Sequence, residues 1–188
     1  MKILNILFLF ISFIVYSQQQ EDFERLTTSI NTKVSIIDGV ELFSDSKQEI
    51  IFNGKYKILI TTKVADYTGI NYNLGESTGY REQGTFSKGY KNSLWTTTYK
   101  NKLIKTENWK YGLIHGEYRV YDTIQKIQYR TDFGTGGNGE YKDYYKTGIL
   151  KQEGNYQNGK KEGEWCTYDR QGKIIKTINY KKGSTINE

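Results

Sequence analysis

The chain has 188 residues, contains no proline and one cysteine, and carries a formal net charge of +6. A single cysteine excludes an intramolecular disulfide, and one cysteine with one histidine excludes the usual transition-metal sites, so we expect no metal. The lysines are scattered, with no run of five like charges, which favours an effect of composition over selection for an acidic partner.

Residues 1–17 are typical of a secretory signal peptide. Lys2 precedes an apolar run from Ile3 to Val15, and the small residue Ser17 marks a cleavage site before Gln18. The run is shorter than the roughly 20 residues that a membrane span needs, although an uncleaved anchor is the alternative. We therefore predict an exported protein of 171 residues that is periplasmic, associated with the outer membrane or secreted, and that has no nucleic-acid partner.

Residues 18–83 predict irregular β structure. Short runs rich in β-branched and aromatic residues predict strands, and these cover Lys33–Ile37, Val40–Phe43, Glu49–Phe52 and Tyr56–Val64. A short helix over Glu21–Ser29 is the one helical candidate. We interpret this region as a degenerate cap of the sheet that follows, because a terminal repeat lacks one neighbour.

Residues 84–188 repeat with a period of 23 or 24 residues. An aromatic residue opens each unit and a glycine follows three positions later. The unit aromatics are Phe86, Trp109, Phe133, Tyr156 and Tyr180, and the unit glycines are Gly89, Gly112, Gly136, Gly159 and Gly183. Such a period indicates a repeat architecture, with the glycines in tight left-handed turns. The predicted fold is all-β, an elongated antiparallel sheet of successive β-hairpins, which presents a surface and not a pocket.

Two further aromatic residues recur in the units. They are Trp95, Tyr99, Tyr118, Tyr121, Tyr141, Tyr144, Trp165 and Tyr168. In the last three units the two residues lie three positions apart, which places them on opposite faces of a regular strand or requires a bulge. We favour burial of these rings, because a thin sheet has little else to bury. The alternative is a binding face, on which rings flanked by lysines contact sugars, lipid or a partner.

The segment Tyr156–Gly172 reads Tyr-x-x-Gly-x-x-x-Gly-x-Trp-x-x-Tyr-x-x-x-Gly, with Gly163 as its second glycine. This pattern resembles MORN-type repeats, in particular the bacterial variant form in YwqK-like proteins, which carries an antitoxin-family label. The resemblance covers about Gly84–Gly183 and implies an elongated sheet of hairpins that contacts protein or lipid, without catalysis or cofactor. Ser93 in place of a glycine is one departure, as are a turn one residue short in the Phe133 unit and a missing closing glycine in the Trp109 unit.

Two short motifs match enzyme signatures but lack the required context. Gly75–Gly79 matches the nucleophile elbow, which needs a helix after it, and the sequence that follows is not helical. Gly134–Gly139 matches the dinucleotide fingerprint, which also needs a helix, and a strand-like sequence follows. We expect both motifs to be loops and turns.

Isolated polar residues add no catalytic site to this prediction. His115 falls in a variable polar turn position, and carboxylates such as Asp143, Glu162 and Asp169 are spread along the predicted turns, with no convergent pair for acid–base chemistry. We expect Cys166 to be a half-buried apolar filler, with a free thiol that pairs between chains as the alternative.

Together these patterns predict an exported, non-catalytic binding module that offers a sheet face or edge to a protein partner. An immunity or antitoxin-like protein that neutralises a cognate toxin is one alternative, and a lipid-surface-binding repeat protein or a cell-envelope enzyme are others. Anionic lipid or glycan are further candidate partners, and open sheet edges allow self-association.

Overall fold

The computed structural model describes residues 24–62 and 76–186. The predicted signal peptide, with its cleavage site at Ser17 and Gln18, lies outside them. The described residues form fifteen β-strands and one short 3-10 turn at Ser29–Asn31, with no α-helix among them. The prediction of an all-β fold is therefore confirmed.

Fifteen strands follow one another along the chain. The first seven are β1 (Arg25–Thr28), β2 (Thr32–Ile37), β3 (Val40–Asp45), β4 (Gly54–Thr62), β5 (Glu76–Ser87), β6 (Tyr90–Tyr99) and β7 (Lys102–Lys110). The remaining eight are β8 (Leu113–Ile114), β9 (Glu117–Tyr121), β10 (Ile127–Asp132), β11 (Gly139–Tyr144), β12 (Leu150–Gln157), β13 (Lys160–Tyr168), β14 (Ile174–Lys181) and β15 (Ser184–Thr185).

The strands are arranged in three sheets. The first has the order β1-β4-β5-β6-β7-β9-β10, with β8 paired to β7, and the second runs β11 to β15 in chain order. The third is the hairpin β2–β3. Among the described strands, every pairing except the parallel pair β1–β4 is antiparallel, so both larger sheets are built from successive hairpins, as predicted.

The N-terminal region differs from its prediction at two places. The helix expected over Glu21–Ser29 was wrong in its described part, because Arg25–Thr28 is a strand whose backbone pairs with β4 and whose two threonines suit that extended conformation. The strand expected over Glu49–Phe52 is reduced to one bridge at Ile51, since Glu49 turns the chain with a φ of +57°. β4 belongs to the first sheet, in agreement with the prediction that the N-terminal region caps the repeats. The hairpin β2–β3 forms a separate sheet.

Four of the five unit glycines occupy left-handed turns. Their φ angles are +83°, +78°, +73° and +83° for Gly89, Gly112, Gly159 and Gly183. The N–H of Gly112 donates to the carbonyl of Lys91, and the N–H of Gly183 donates to that of Lys161, each at 2.8 Å. Each of these turns is thereby bonded to the hairpin before it, which explains why the glycine spacing is regular.

Gly136 is the exception among the unit glycines. Its φ lies outside the left-handed region, and the left-handed residues of this turn are Gly134 and Gly137. The prediction of a left-handed turn at Gly136 was therefore wrong. The unit is one residue short, so its turn is built around different positions.

The core is a continuous row of aromatic side chains on the inner faces of the two larger sheets. One cluster is centred on Phe86 and Trp95, and the other on Tyr118, Tyr141 and Trp165. Trp109 packs against both clusters and so joins them. The Tyr118 and Tyr141 rings lie 4.9 Å apart across the boundary between the sheets.

The hairpin β2–β3 crosses the row of repeat turns. The Gly39 backbone at its tip meets the last turn so closely that a Cβ on Gly39 would lie 1.9 Å from the Lys182 carbonyl oxygen. The Lys160 ammonium donates to the Asp38 carbonyl at 2.6 Å. Further along, Val40 covers Gly112. Gly39 and Val40 thus contact two turns of the repeats, the final turn at Gly183 and the earlier turn at Gly112.

Candidate binding sites

The structure divides the eight candidate aromatic residues into two equal groups. Trp95, Tyr118, Tyr141 and Trp165 expose 1%, 0%, 6% and 2% of their surface, so burial, the interpretation we favoured, is confirmed for these four. The other four are half-buried, and they are Tyr99, Tyr121, Tyr144 and Tyr168.

Trp165 and Tyr168 show how two aromatics three positions apart are accommodated. The Tyr168 hydroxyl donates to the Glu153 carboxylate, and Glu153 pairs with Cys166, whose side chain lies opposite that of Trp165. The two rings therefore lie on opposite faces, and the ladder also shifts register just before Tyr168. The hydrogen bond to Glu153 raises the pKa of Tyr168 to about 12.

Three of the half-buried tyrosines converge at one end of the strands. They line a groove of about 410 Å³ where the turns after β6, β9 and β11 meet. We call it the tyrosine–lysine groove, and its defining residues are Tyr99, Tyr121, Tyr144, Lys100, Lys102 and Lys146. Tyr168 is not among its lining residues.

Contacts between rings and ammonium groups define the geometry of this groove. The Lys146 Nζ lies 3.3 Å from the Tyr99 hydroxyl and 4.7 Å from the centre of its ring. The hydrogen bond from Lys146 lowers the pKa of Tyr99. The carboxylate of Asp122, which also lines the groove, is engaged locally, because it accepts the N–H groups of Ile124 and Lys126 at 2.9 Å. Asp143 also lines the groove, and its carboxylate is paired with Lys151 at 3.2 Å. Because both carboxylates are engaged, the groove presents aromatic surface and lysine cations.

A second cavity, of about 460 Å³, lies between the hairpin β2–β3 and the inner faces of the larger sheets. We call it the central cavity. Its principal lining side chains are Trp109, Tyr141, Tyr156, Tyr180, Lys91, Lys105, Lys160, Lys161, Glu41 and Glu107. The prediction that the repeats present a surface and not a pocket was wrong here, because the sheets and the hairpin enclose space that a single flat sheet would not.

Charged side chains meet on the inner face beside this cavity. The Lys91 Nζ lies 3.2 Å from Glu82, and the Lys105 Nζ lies 3.3 Å from the buried Glu107. A third pair joins Lys151 to the buried Asp143, also at 3.2 Å. The expectation that Asp143 lies along a turn was therefore wrong, because it lies within β11. Glu162 and Asp169 do accept backbone N–H groups at turns.

Mutual attraction fixes the charges of this cluster. Burial alone would lower the pKa of Lys105, but Glu107 and Asp143 raise it well above its usual value. Burial alone would raise the pKa of Asp143, but Lys105 and Lys151 hold it below its usual value. Burial raises the pKa of Tyr141, which stays a neutral phenol. Each of these shifts moves the group away from neutral pH, so the cluster suits fixed charge pairing more than proton transfer.

The charged residues on the inner face could have been predicted from the sequence, because alternate residues of a strand point to the same face. Glu82 lies four residues before Phe86, and Lys105 and Glu107 lie four and two residues before Trp109. Residues at such spacings share a face with the unit aromatic. Sequence reasoning missed them because it considered carboxylates one at a time and did not compare their spacing with that of the unit aromatics.

Two remaining sequence candidates have definite places in the fold. The expectation that Gly75–Gly79 is a loop was wrong in its described part, because residues 76–79 lie in β5. Cys166 is buried, with its Sγ 3.6 Å from a Glu164 carboxylate oxygen and 3.9 Å from the Thr177 hydroxyl, so its neighbours are partly polar. Among residues 24–62 and 76–186, no three His, Cys, Asp or Glu side chains cluster as metal ligands would. In the same ranges no helix is long and apolar enough to cross a membrane.

Comparison of the chain with protein-family models, with curated proteins and with solved structures gave no significant match.

Proposed function

We propose that this protein is an exported, non-catalytic binding module that receives an acidic segment of a protein partner in the tyrosine–lysine groove. The observation that carries the proposal is the convergence of three hairpin ends. Tyr99, Tyr121 and Tyr144 come from different units, yet their rings line one groove together with three lysines.

The chemistry of the groove favours a protein partner with carboxylate side chains. Tyrosine offers a large contact area with little conformational entropy to lose, which is why it is enriched in binding surfaces. Lysines around such a patch attract an acidic segment and accelerate its association. In the inner cluster, the pKa values of Lys105, Tyr141 and Asp143 are all shifted away from neutral pH, which does not favour acid–base catalysis there.

The test compares two charge reversals of exposed lysines. Lys146→Glu changes the groove, and Lys88→Glu is the matched control in the turn between β5 and β6, at the opposite end of these strands. Partners from a cell-envelope extract are captured on the mature chain and on both variants. We expect wild type and Lys88→Glu to retain the same protein and Lys146→Glu to lose it. Retention by Lys146→Glu would refute the groove as the binding site.

A membrane surface is the competing ligand for lysines and tyrosines. Sedimentation with vesicles rich in phosphatidylglycerol, at low and at high salt, distinguishes the two, because adsorption driven by charge weakens as salt screens it. We expect no salt-sensitive sedimentation that depends on Lys146. An antitoxin-like role would instead appear in the capture experiment as one tightly bound partner.

A further inference from the structure

Two positions 70 residues apart build the same local arrangement. The ammonium of Lys91 lies 4.5 Å from the centre of the Trp95 ring, and that of Lys161 lies 4.7 Å from the Trp165 ring. The strand register agrees as well, because Lys91 pairs with Phe86 just as Lys161 pairs with the unit aromatic three units later. The two lysines are structural equivalents.

Lys91 and Lys161 differ in one partner. Glu82, which pairs with Thr97 across the ladder, forms the 3.2 Å ion pair with Lys91. The matching position of the later arrangement is Gln152, which pairs with Thr167 in the same way. No carboxylate among the described residues forms an ion pair with Lys161. The second lysine therefore has the same aromatic surroundings but lacks the anion.

In the later arrangement, which lacks the carboxylate, Lys161 and Gln152 both face the central cavity. The Tyr180 ring lies 5.3 Å from the Lys161 Nζ. Trp109, on the same wall, has a buried indole N–H without an acceptor among the described residues. A volume of about 460 Å³ is within the range of small-molecule sites. The cavity thus combines aromatic walls with a cation that has no ion-pair partner. Two carboxylates also line it, those of Glu41 and of Glu107, and Glu107 is paired with Lys105.

We propose that the central cavity binds a small organic carboxylate with a planar, apolar body. Its carboxylate accepts a hydrogen bond from the Lys161 ammonium, as the Glu82 carboxylate does from Lys91, and its ring packs against Tyr180 and Trp109. A charge-assisted hydrogen bond supplies the orientation, and contact between rings in offset or edge-on geometry supplies further affinity. This site is separate from the tyrosine–lysine groove, so it does not depend on the proposed protein partner.

The test uses 2-naphthoate and its neutral counterpart 2-naphthamide, titrated into the full chain by calorimetry. Gln152→Glu installs the carboxylate that the second arrangement lacks, and Gln171→Glu is a control that adds the same charge at the exposed turn between β13 and β14. We expect wild type and Gln171→Glu to bind 2-naphthoate at least tenfold more tightly than 2-naphthamide. Gln152→Glu should weaken 2-naphthoate at least tenfold and leave 2-naphthamide unchanged.

A second variant keeps the proposal testable if Gln152→Glu does not fold. Lys161→Met retains an unbranched apolar stem while it removes the cation, so it should also remove the preference for the carboxylate. The proposal is overturned by absence of saturable 2-naphthoate binding to wild type up to about 1 mM, the weak end of useful affinities. Equal affinity for the amide, or undiminished binding by the folded variants, would overturn it as well.

Discussion

Ser93 is expected to destabilise the protein, and its replacement by glycine should stabilise it. Ser93 occupies the position that is glycine in three other units, and its φ of +64° matches the +59° of Gly116 and the +68° of Gly163. The side chain is exposed, and its hydroxyl accepts a 3.3 Å hydrogen bond from the side chain of the neighbouring Asn92. Ser93→Gly therefore removes backbone strain and almost no packing.

The magnitude follows from two opposed terms. A non-glycine residue in the left-handed region costs roughly 1–2 kcal/mol. Glycine in turn loses more conformational entropy on folding, about 0.5–1 kcal/mol. The net gain in the free energy of unfolding is about 0.5–1 kcal/mol, which for a chain of this size corresponds to about 1–4 °C in melting temperature.

The mirror substitution provides the control. A Cβ added at Gly163 would meet no atom within 4 Å, so Gly163→Ser introduces the same strain without a steric clash. Urea unfolding followed by tryptophan fluorescence measures both variants against wild type. We expect changes of similar size and opposite sign, with Ser93→Gly more stable and Gly163→Ser less stable. Two changes of the same sign, or a destabilised Ser93→Gly, would refute the argument from backbone strain.

Three further predictions concern the core and the inner charges. Gly154→Ala would place a Cβ 2.3 Å from the Trp165 ring and should lower the free energy of unfolding by about 2–3 kcal/mol in urea, as overpacked cores do. The depressed pKa of Asp143 means that its carboxylate stabilises the fold above about pH 4 and that this contribution disappears as pH falls through the folded-state pKa. Asp143→Asn should therefore be less stable than wild type at pH 7. It should also lose less stability than wild type between pH 5 and pH 2, roughly the range over which a paired carboxylate titrates. Unfolding curves at several pH values would measure both effects. Cys166 is buried, so a maleimide should label it slowly in the native chain and rapidly in urea, and equal rates would contradict its placement.

The local features of the fold were predictable because they depend on residues close in sequence. Only a glycine easily adopts the φ of +83° found at Gly89, so the glycine period marked most of the turns. The same rule failed at Gly136, since one missing residue moved the left-handed positions to Gly134 and Gly137. Burial of Trp95 followed in the same way from the size of its ring and the shortage of other apolar material.

The groove and the central cavity could not be predicted in this way, because they depend on how distant strands curve together. The central cavity requires the hairpin near Gly39 to reach Gly183, a contact that spans more than 140 positions. The tyrosine–lysine groove requires three hairpin ends to meet at one place, which the repeat period alone does not specify. The sequence did contain information about the inner face, because Glu82, Gly84 and Phe86 are two positions apart and share one face of a strand. Assigning alternate residues to opposite faces would have identified the inner charged residues.

The contact between Gly39 and the turn at Gly183 restricts how this protein can evolve. A linear solenoid can gain or lose a unit at its end with little penalty, because each unit depends only on its immediate neighbours. Here the last turn must arrive at a particular point on an early hairpin. Duplication or deletion of one unit would move that turn by about 10 Å, the width of two strands. The number of units is therefore constrained by closure, and tolerated length changes should concentrate in turns away from this junction.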